Sequence, residues 1–206
     1  MVKGLDTFRN YFADYEEQYV LIGGAACDII FESNDATFRA TRDLDMVLIV
    51  EALTPEFGER FWKFIQNGRY RNKTTSVQKP QFHRFDKPED DTYPKMIELF
   101  CRNNFELRKM TGITPIHIDD SVSSLSAILL DDEYYKALLE GKVVRNGLSV
   151  LRPEYIILFK AKAYLDLKQM KEKGEAVDSS DIKKHKKDIL RITAELMLES
   201  VSELPA

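Results

Sequence analysis

Two aspartates separated by one leucine, Asp43-Leu44-Asp45, have the type and spacing that most directly suggest chemistry in this chain of 206 residues. They begin an apolar segment that is predicted to be a β-strand, and alternate residues of a strand point to the same face. Asp43 and Asp45 should therefore hold two carboxylates side by side, where they repel each other unless a cation lies between them. Mg²⁺ prefers oxygen ligands and often takes one or two carboxylates together with phosphate oxygens, so the pair predicts a magnesium site.

Two glycines, Gly23 and Gly24, precede this strand in the sequence. They follow a predicted buried strand over residues 20–22, form a predicted turn, and lead into a predicted apolar helix over residues 25–31. Glycine has no side chain to block access, so the backbone N–H groups of the turn and the start of the helix can approach an anion closely. A phosphate-binding turn and a carboxylate pair in one strand–helix–strand unit favour nucleotide chemistry.

The Gly-Gly pair, followed by a loop that ends in R-x-T-x-D-L-D, resembles the nucleotidyltransferase superfamily and, within it, the AbiEii-type toxin-like branch. The matching residues are Gly23, Gly24, Ala26, Arg39, Thr41, Asp43, Leu44 and Asp45. The resemblance implies that Gly23, Gly24, Arg39 and Thr41 contribute to nucleotide binding. Two positions depart from the pattern: Ala25 stands where the branch often has Thr, and Thr41 replaces Ser. The missing hydroxyl at position 25 removes one phosphate contact.

A third carboxylate is expected from the predicted strand over residues 95–101. Glu98 is the one acid in that apolar segment, and a buried acid is costly unless it is paired or binds a metal. The resemblance implies a third catalytic and metal-binding carboxylate on a strand beside the D-x-D strand, and Glu98 fits that place. Asp119 is the competing residue, and an exposed glutamate on an open sheet face is the alternative. His83 and Arg84, in a predicted hairpin strand over residues 81–86, either contact a substrate or form an exposed pair.

Lys160 lies in a predicted helix that begins at Pro153 and runs to about residue 171. At 100° per residue it falls within an apolar stripe, so it must either extend to an edge or point into a cleft where an anion neutralises it. The resemblance implies a lysine in a K-x-x-A context that meets the nucleotide phosphates, and Lys160 matches that position.

The last predicted helix carries the sequence DIKKHKKDIL. Lys187-Asp188 resembles the Lys-Asp element of the family, with Lys184 one turn earlier, and the resemblance implies that all three belong to the nucleotide site. A solvent-exposed basic face is the alternative. His185, in the same helix, is a candidate general base, but its position in the sequence gives no support for that role.

Composition limits the classes of protein. The formal net charge is −4, which disfavours general nucleic-acid binding, although residues 160–191 carry ten Lys or Arg against six Asp or Glu. No apolar run approaches the ~20 residues of a membrane span, and the N-terminus lacks the apolar segment of a signal peptide. Cys27 and Cys101 indicate free thiols in a reducing compartment, so a cytoplasmic protein without a membrane partner is expected.

The expected fold class is α/β (α+β): a nucleotidyltransferase-like mixed β-sheet flanked by helices over residues 1–151, followed by a small helical subdomain over residues 152–206. The resemblance implies Mg²⁺-dependent (or Mn²⁺-dependent) transfer of a nucleoside monophosphate from a nucleoside triphosphate to a hydroxyl of RNA such as tRNA, of protein or of a small molecule. It also implies a toxin-like enzyme with an antitoxin partner. Two alternatives stay open: a catalytically inactive nucleotide- or metal-binding regulator of the same fold, and a structural protein whose acids are merely exposed.

Overall fold

Helices and strands alternate along most of the chain. The computed structural model describes residues 2–33, 36, 38, 41–72, 83–102, 128 and 131–196. Within these ranges the helices are α1 (Leu5–Phe12), α2 (Gly23–Glu32), α3 (Pro55–Asn67), α4 (Asp132–Gly141), α5 (Pro153–Glu172) and α6 (Ser179–Glu195). The strands are β1 (Tyr19–Ile22), β2 (Asp43–Leu48), β3 (Arg71–Asn72), β4 (His83–Asp86), β5 (Met96–Cys101), β6 (Lys142–Arg145) and β7 (Leu148–Leu151).

The strands form one mixed sheet in the order β3-β4-β5-β2-β1-β7-β6. Strand β2 runs parallel to β5 and antiparallel to β1, while β1 runs parallel to β7. The outer pairs β3–β4, β4–β5 and β6–β7 are antiparallel. A mixed sheet flanked by helices and followed by a helical C-terminal part confirms the expected fold class.

One face of the sheet packs against α1 and α3 through an aromatic core. These helices carry phenylalanines at helical spacing, so each presents a continuous apolar stripe to the strands. Tyr19 of β1 meets the ring of Phe8 edge to face at a centroid distance of 5.5 Å. The fully buried aromatic residues of this layer are Phe8, Phe12, Tyr19, Phe57, Phe61, Phe64 and Phe85. This layer fixes which side chains of β2 and β5 must point to the opposite face.

The opposite face is where the acidic residues of the strands lie, and α2 and the C-terminal helices cover part of it. Helix α2 contacts β1, β2 and α5, and α5 in turn packs along α6. None of the helices in the described ranges combines the length and apolar composition that spanning a bilayer requires.

Local sequence signals specify several boundaries. Thr54 followed by Pro55 predicts the start of a helix, and the Thr54 side chain accepts a hydrogen bond from the Phe57 N–H at 3.3 Å, which confirms it as the N-cap of α3. Asp131 likewise caps α4 by accepting from the N–H groups of the next turn. Asn146 and Gly147 have φ values of 52° and 71°, as a two-residue hairpin turn between β6 and β7 requires.

Three predicted boundaries were wrong. Helix α2 begins at Gly23, two residues before its predicted start at Ala25, although the φ of 64° at Gly23 gives the strand–helix junction a turn conformation. The apolar spacing over residues 4–17 predicts one helix, but α1 ends at Phe12, and Asp14 follows with a φ of 72°, a conformation that interrupts a helix. Ser179 and Ser180 were predicted to cap the last helix, but Asp178 caps α6, since its carboxylate accepts from the Ser180 N–H at 2.8 Å.

The sequence also predicts strands over residues 70–78, 116–118 and 127–130. Residues 73–82, the segment at 116–118 and Asp119 lie outside the described residues, and the strand at 127–130 was wrong at its one described residue, because Ile128 is helical.

Candidate functional site

A row of side chains crosses the sheet on the face opposite the aromatic core. Strand register places Asp45 of β2 directly beside Glu98 of β5, and Glu98 beside Arg84 of β4. On the other side Asp45 is paired with Ile22 of β1, the residue before Gly23. Asp43 lies two positions from Asp45 on the same face. The alternation prediction thus brings the three proposed acids onto one face of adjacent strands.

Asp45 is the most perturbed carboxyl of the row. Burial is the largest cause, and the negative charges of Glu98 and Asp43 add to it, so the pKa of Asp45 rises to about 7. Lys160 and Lys184 act in the opposite direction. A carboxylate that its surroundings disfavour to this extent is a natural partner for an additional cation.

Gly23 and Gly24 lie against the beginning of β2. Gly23 has a φ of 64°, and a Cβ atom at this position would overlap Asp45 Oδ2. A Cβ atom on Gly24 would lie 2.7 Å from Thr41 Oγ1. A side chain at Gly23 would be strained and would have to displace the Asp45 carboxylate, and one at Gly24 would have to displace Thr41, so both glycines bring the start of α2 next to Asp45 and Thr41. Thr41 thus reaches the predicted nucleotide site, whereas Arg39 lies outside the described residues.

Lys160 of α5 points into the protein, where its anion partner is a carboxylate of the chain itself. Its Nζ donates to Asp188 Oδ2 of α6 at 2.7 Å, and the two side chains are only 9% and 4% exposed. Of the two alternatives for Lys160, the structure therefore selects a buried position neutralised by an anion. Asp188 holds that lysine in place and ties the last two helices together.

A pocket of about 120 Å³ joins the two halves of the site. Asp45, Gly23, Gly24, Lys160 and Lys184 all line it, so five of the predicted site residues meet there. Its remaining wall is mostly apolar, formed by Ile22, Leu151, Ile156, Phe159 and Ala163 together with His185. Lys184 and Lys187 are both exposed, but Lys187 is not among the residues that line the pocket.

His185 is half-buried at the edge of this pocket. Burial and the nearby charges of Lys160 and Lys184 lower its pKa to about 4, so the imidazole is neutral at physiological pH. Its Nδ1 is buried and makes no hydrogen bond to the described residues. A base of such low pKa is a weak proton acceptor near neutrality.

Glu98 does not stand alone in its row. Its Oε1 forms an ion pair with Arg84 Nη2, and the Glu98 side chain is 16% exposed. Arg84 was predicted only as a substrate contact or an exposed residue, because its pairing depends on the β4–β5 register. Across the described residues no group of three or more His, Cys, Asp or Glu side chains is arranged to hold a metal ion. Asp43 and Asp45, with phosphate oxygens of a substrate, remain a donor set that fits Mg²⁺.

A second pocket, of about 350 Å³, opens at the other end of the aspartate pair. It is lined by Arg42, Asp43, Asp86, Lys87, Pro88, Asp91, Lys95 and Met96. Sequence reasoning missed it. The available signals were the arginine directly before Asp43 and the lysines on either side of the acidic loop between β4 and β5.

In comparisons with known proteins, no family model, curated protein or solved structure matches the chain.

Proposed function

We propose that the protein is a Mg²⁺-dependent nucleotidyltransferase that transfers a nucleoside monophosphate from a nucleoside triphosphate to an acceptor hydroxyl. The observation that carries this proposal is the position of Asp45. Its carboxylate belongs to the acidic row and also lines the pocket that contains Gly23, Gly24, Lys160 and Lys184. Asp45 therefore connects the aspartate pair, which would bind the metal ion, to the helix start and lysines of the pocket, which would bind phosphate.

The residues divide by their chemistry. Asp43 and Asp45 would hold Mg²⁺ or Mn²⁺. The backbone at Gly23-Gly24 and the ammonium group of Lys184 would bind the β- and γ-phosphates, since the start of a helix and a lysine both favour anions. Lys160, held by Asp188 at 2.7 Å, contributes positive charge at the inner wall of the same pocket. When bound, the metal would withdraw charge from the triphosphate and lower the pKa of the acceptor hydroxyl.

The chemical step is an in-line displacement. The acceptor oxygen forms a bond to the α-phosphorus while the bond from that phosphorus to the bridging oxygen of the β-phosphate breaks, and pyrophosphate leaves. The hydroxyl proton passes to a carboxylate of the acidic row, and we assign this role to Glu98 because it is the register neighbour of Asp45. The resemblance to the AbiEii-type branch supports RNA or protein as the acceptor and an antitoxin as a partner.

The test is pyrophosphate release from each of the four nucleoside triphosphates with Mg²⁺, in the presence of total RNA or total protein as acceptor. Asp45→Asn should reduce the rate roughly 100-fold or more, because it removes several kcal/mol of metal-dependent transition-state stabilisation. Asp166→Asn is the matched control, since Asp166 lies in a surface ion pair with Lys162. Turnover that survives Asp45→Asn, or is equally lost in the control, would contradict the assignment.

A second function of another class is a nucleotide-binding regulator that does not catalyse. The ion pair of Glu98 with Arg84 favours it, because the guanidinium already occupies the carboxylate that would have to contact a metal ion or an acceptor hydroxyl. Ala25 favours it too, since this position offers no hydroxyl to a phosphate. Such a protein would gain thermal stability with Mg²⁺ and a nucleoside triphosphate yet release no pyrophosphate.

A further inference from the structure

The second pocket lies on the side of β2 opposite the first pocket, which is lined by Gly23, Gly24 and Lys184 and is called the nucleotide pocket below. In the sheet order β4-β5-β2-β1-β7, the nucleotide pocket includes Ile22 of β1 and Leu151 of β7. The second pocket includes Asp86 of β4 and Met96 of β5. Asp45 lines the first pocket and Asp43 lines the second. The aspartate pair therefore stands between the two pockets.

This placement matters because phosphoryl transfer requires attacking and leaving oxygens to be roughly in line. Gly23, Gly24 and Lys184 lie on one flank of the aspartates, where the departing pyrophosphate would be held. The acceptor oxygen must then arrive from the other flank, which is the pocket at Asp43. Its volume, about 350 Å³, falls within the range of small-ligand sites.

The accessible charges of that pocket are mainly positive. Arg42, Lys87 and Lys95 are all exposed, and within the described part of the chain none of the three has an ion-pair partner. Three acids line the same pocket: Asp91 is already paired with Lys3 at 3.1 Å, Asp86 is buried, and Asp43 is half-buried and would be engaged by the metal ion. The three cations are therefore free to meet an anion from outside the chain.

Two of these cations face each other across a hairpin. The β4–β5 ladder ends at Asp86 and Met96, and just beyond it the Lys87 N–H donates to the Lys95 carbonyl at 3.2 Å, which keeps the two lysines next to each other. Like charges directly opposite each other on neighbouring strands are destabilising. Lys87 also has a φ of 51°, which a residue with a side chain adopts only at a cost. An anion held between the two ammonium groups would offset their repulsion.

We propose that Arg42, Lys87 and Lys95 form the acceptor subsite, which binds a phosphate group of a phosphate-bearing acceptor and directs its hydroxyl toward Asp43. The acceptor role rests on the proposed transferase function, but binding of an anion at these three residues does not require turnover. The shared chemistry is the phosphate, whether it belongs to an RNA strand with a free 3′-hydroxyl or to a small sugar phosphate.

The main test measures binding without nucleotide or metal, so its outcome is independent of pyrophosphate release. The probe is a fluorescently labelled single-stranded RNA of about 12 nucleotides, within the usual span of single-strand sites. The variant Arg42→Gln/Lys87→Gln/Lys95→Gln should bind it more weakly. Its plot of log affinity against log salt should be shallower by about 2, from three contacts of about 0.7 each. The control Lys63→Gln/Arg145→Gln/Lys173→Gln removes three exposed cations elsewhere on the described surface and should behave as wild type.

A second arm replaces the RNA by ribose 5-phosphate. Binding of this compound alone, lost in the first triple variant and kept in the control, supports the subsite with a small acceptor. Equal RNA and ribose 5-phosphate binding in both variants, or no binding of either ligand to the wild-type protein, overturns the proposal. If binding depends on the three cations but no triphosphate is turned over, the anion site stands and the transferase assignment fails.

The hairpin provides an independent check. At low ionic strength Lys95→Gln should raise the Tm, because it removes the repulsion from Lys87, and added inorganic phosphate should abolish the difference. A Tm that is unchanged or lower in the variant, or a difference that phosphate does not affect, overturns the role assigned to the two lysines. Binding of the triphosphate with Mg²⁺ should be the same in wild type and variant.

Discussion

The buried ion pair between Lys160 and Asp188 should dominate the stability of the C-terminal helices. Lys160→Met leaves the Asp188 carboxylate buried at 4% exposure without its 2.7 Å partner. Removing one member of a buried pair costs about 3–5 kcal/mol, since the remaining charge keeps its desolvation cost. Asp188→Asn in turn leaves the Lys160 ammonium group buried at 9% exposure without its carboxylate partner, so it should also be strongly destabilising.

Replacing both partners separates the energy of the pair from the cost of leaving one charge behind. Lys160→Met/Asp188→Leu removes both charges, so it should lie within about 1 kcal/mol of wild type or be more stable. The single changes therefore cannot be additive, and the double-mutant cycle should show a coupling of several kcal/mol. Urea denaturation followed by circular dichroism gives the free energy of unfolding for all four proteins.

A matched surface pair provides the control for distance. Lys162 and Asp166 are also 2.7 Å apart on α5, but their side chains are 35% and 26% exposed. Removing either should cost only about 0.3–0.5 kcal/mol, as is usual for such pairs on helices. Single changes at Lys160 and Asp188 that cost no more than this, or a double variant whose loss equals the sum of the single losses, would refute the account.

Three further outcomes are expected. Asp45 has a folded-state pKa near 7 against an ordinary 3.8, so in metal-free protein its contribution to stability falls as the pH rises from about 4 to 7. Asp45→Asn should therefore be about 1–3 kcal/mol more stable than wild type at pH 8 and equal to it near pH 4 by urea denaturation with a chelator; a constant difference would contradict this. Gly23→Ala should lower the Tm and abolish triphosphate-dependent stabilisation, whereas Gly174→Ala, at a φ of 85° with nothing within 4 Å of its Cβ, should lower only the Tm. Asp131→Ala should cost about 1 kcal/mol by urea denaturation through loss of the α4 cap, and pyrophosphate release should stay unchanged.

Local patterns in the sequence predicted much of the fold. Alternation placed Asp43 and Asp45 on one face, because the side-chain period of a strand does not depend on what surrounds it. Capping by Thr54 and Asp131 and the Asn-Gly turn were equally local, since each is a short-range hydrogen bond or backbone preference. The position of Glu98 beside these acids came from the family resemblance, and the β2–β5 register agrees with it.

Features that depend on tertiary structure could not be predicted from the sequence. The partner of Lys160 lies 28 positions away on another helix, and its choice depends on how α5 and α6 pack. Arg84 reaches Glu98 only because β4 joins the sheet in one particular register. The pocket at Asp43 requires residues from the start of β2 and from the loop between β4 and β5, which no spacing rule connects.

The parallel pairing of β2 with β5 also affects how the protein folds. Asp45 and Glu98 are 53 positions apart, and the α3 helix and two short strands lie between them. Closing so long a loop costs entropy before any contact is gained, so parallel pairings of this kind form slowly. The hairpin of β6 and β7 can form early, whereas Asp45 and Glu98 come together late. A newly made chain would thus acquire much of its secondary structure before the row of acidic side chains across β2 and β5 is assembled.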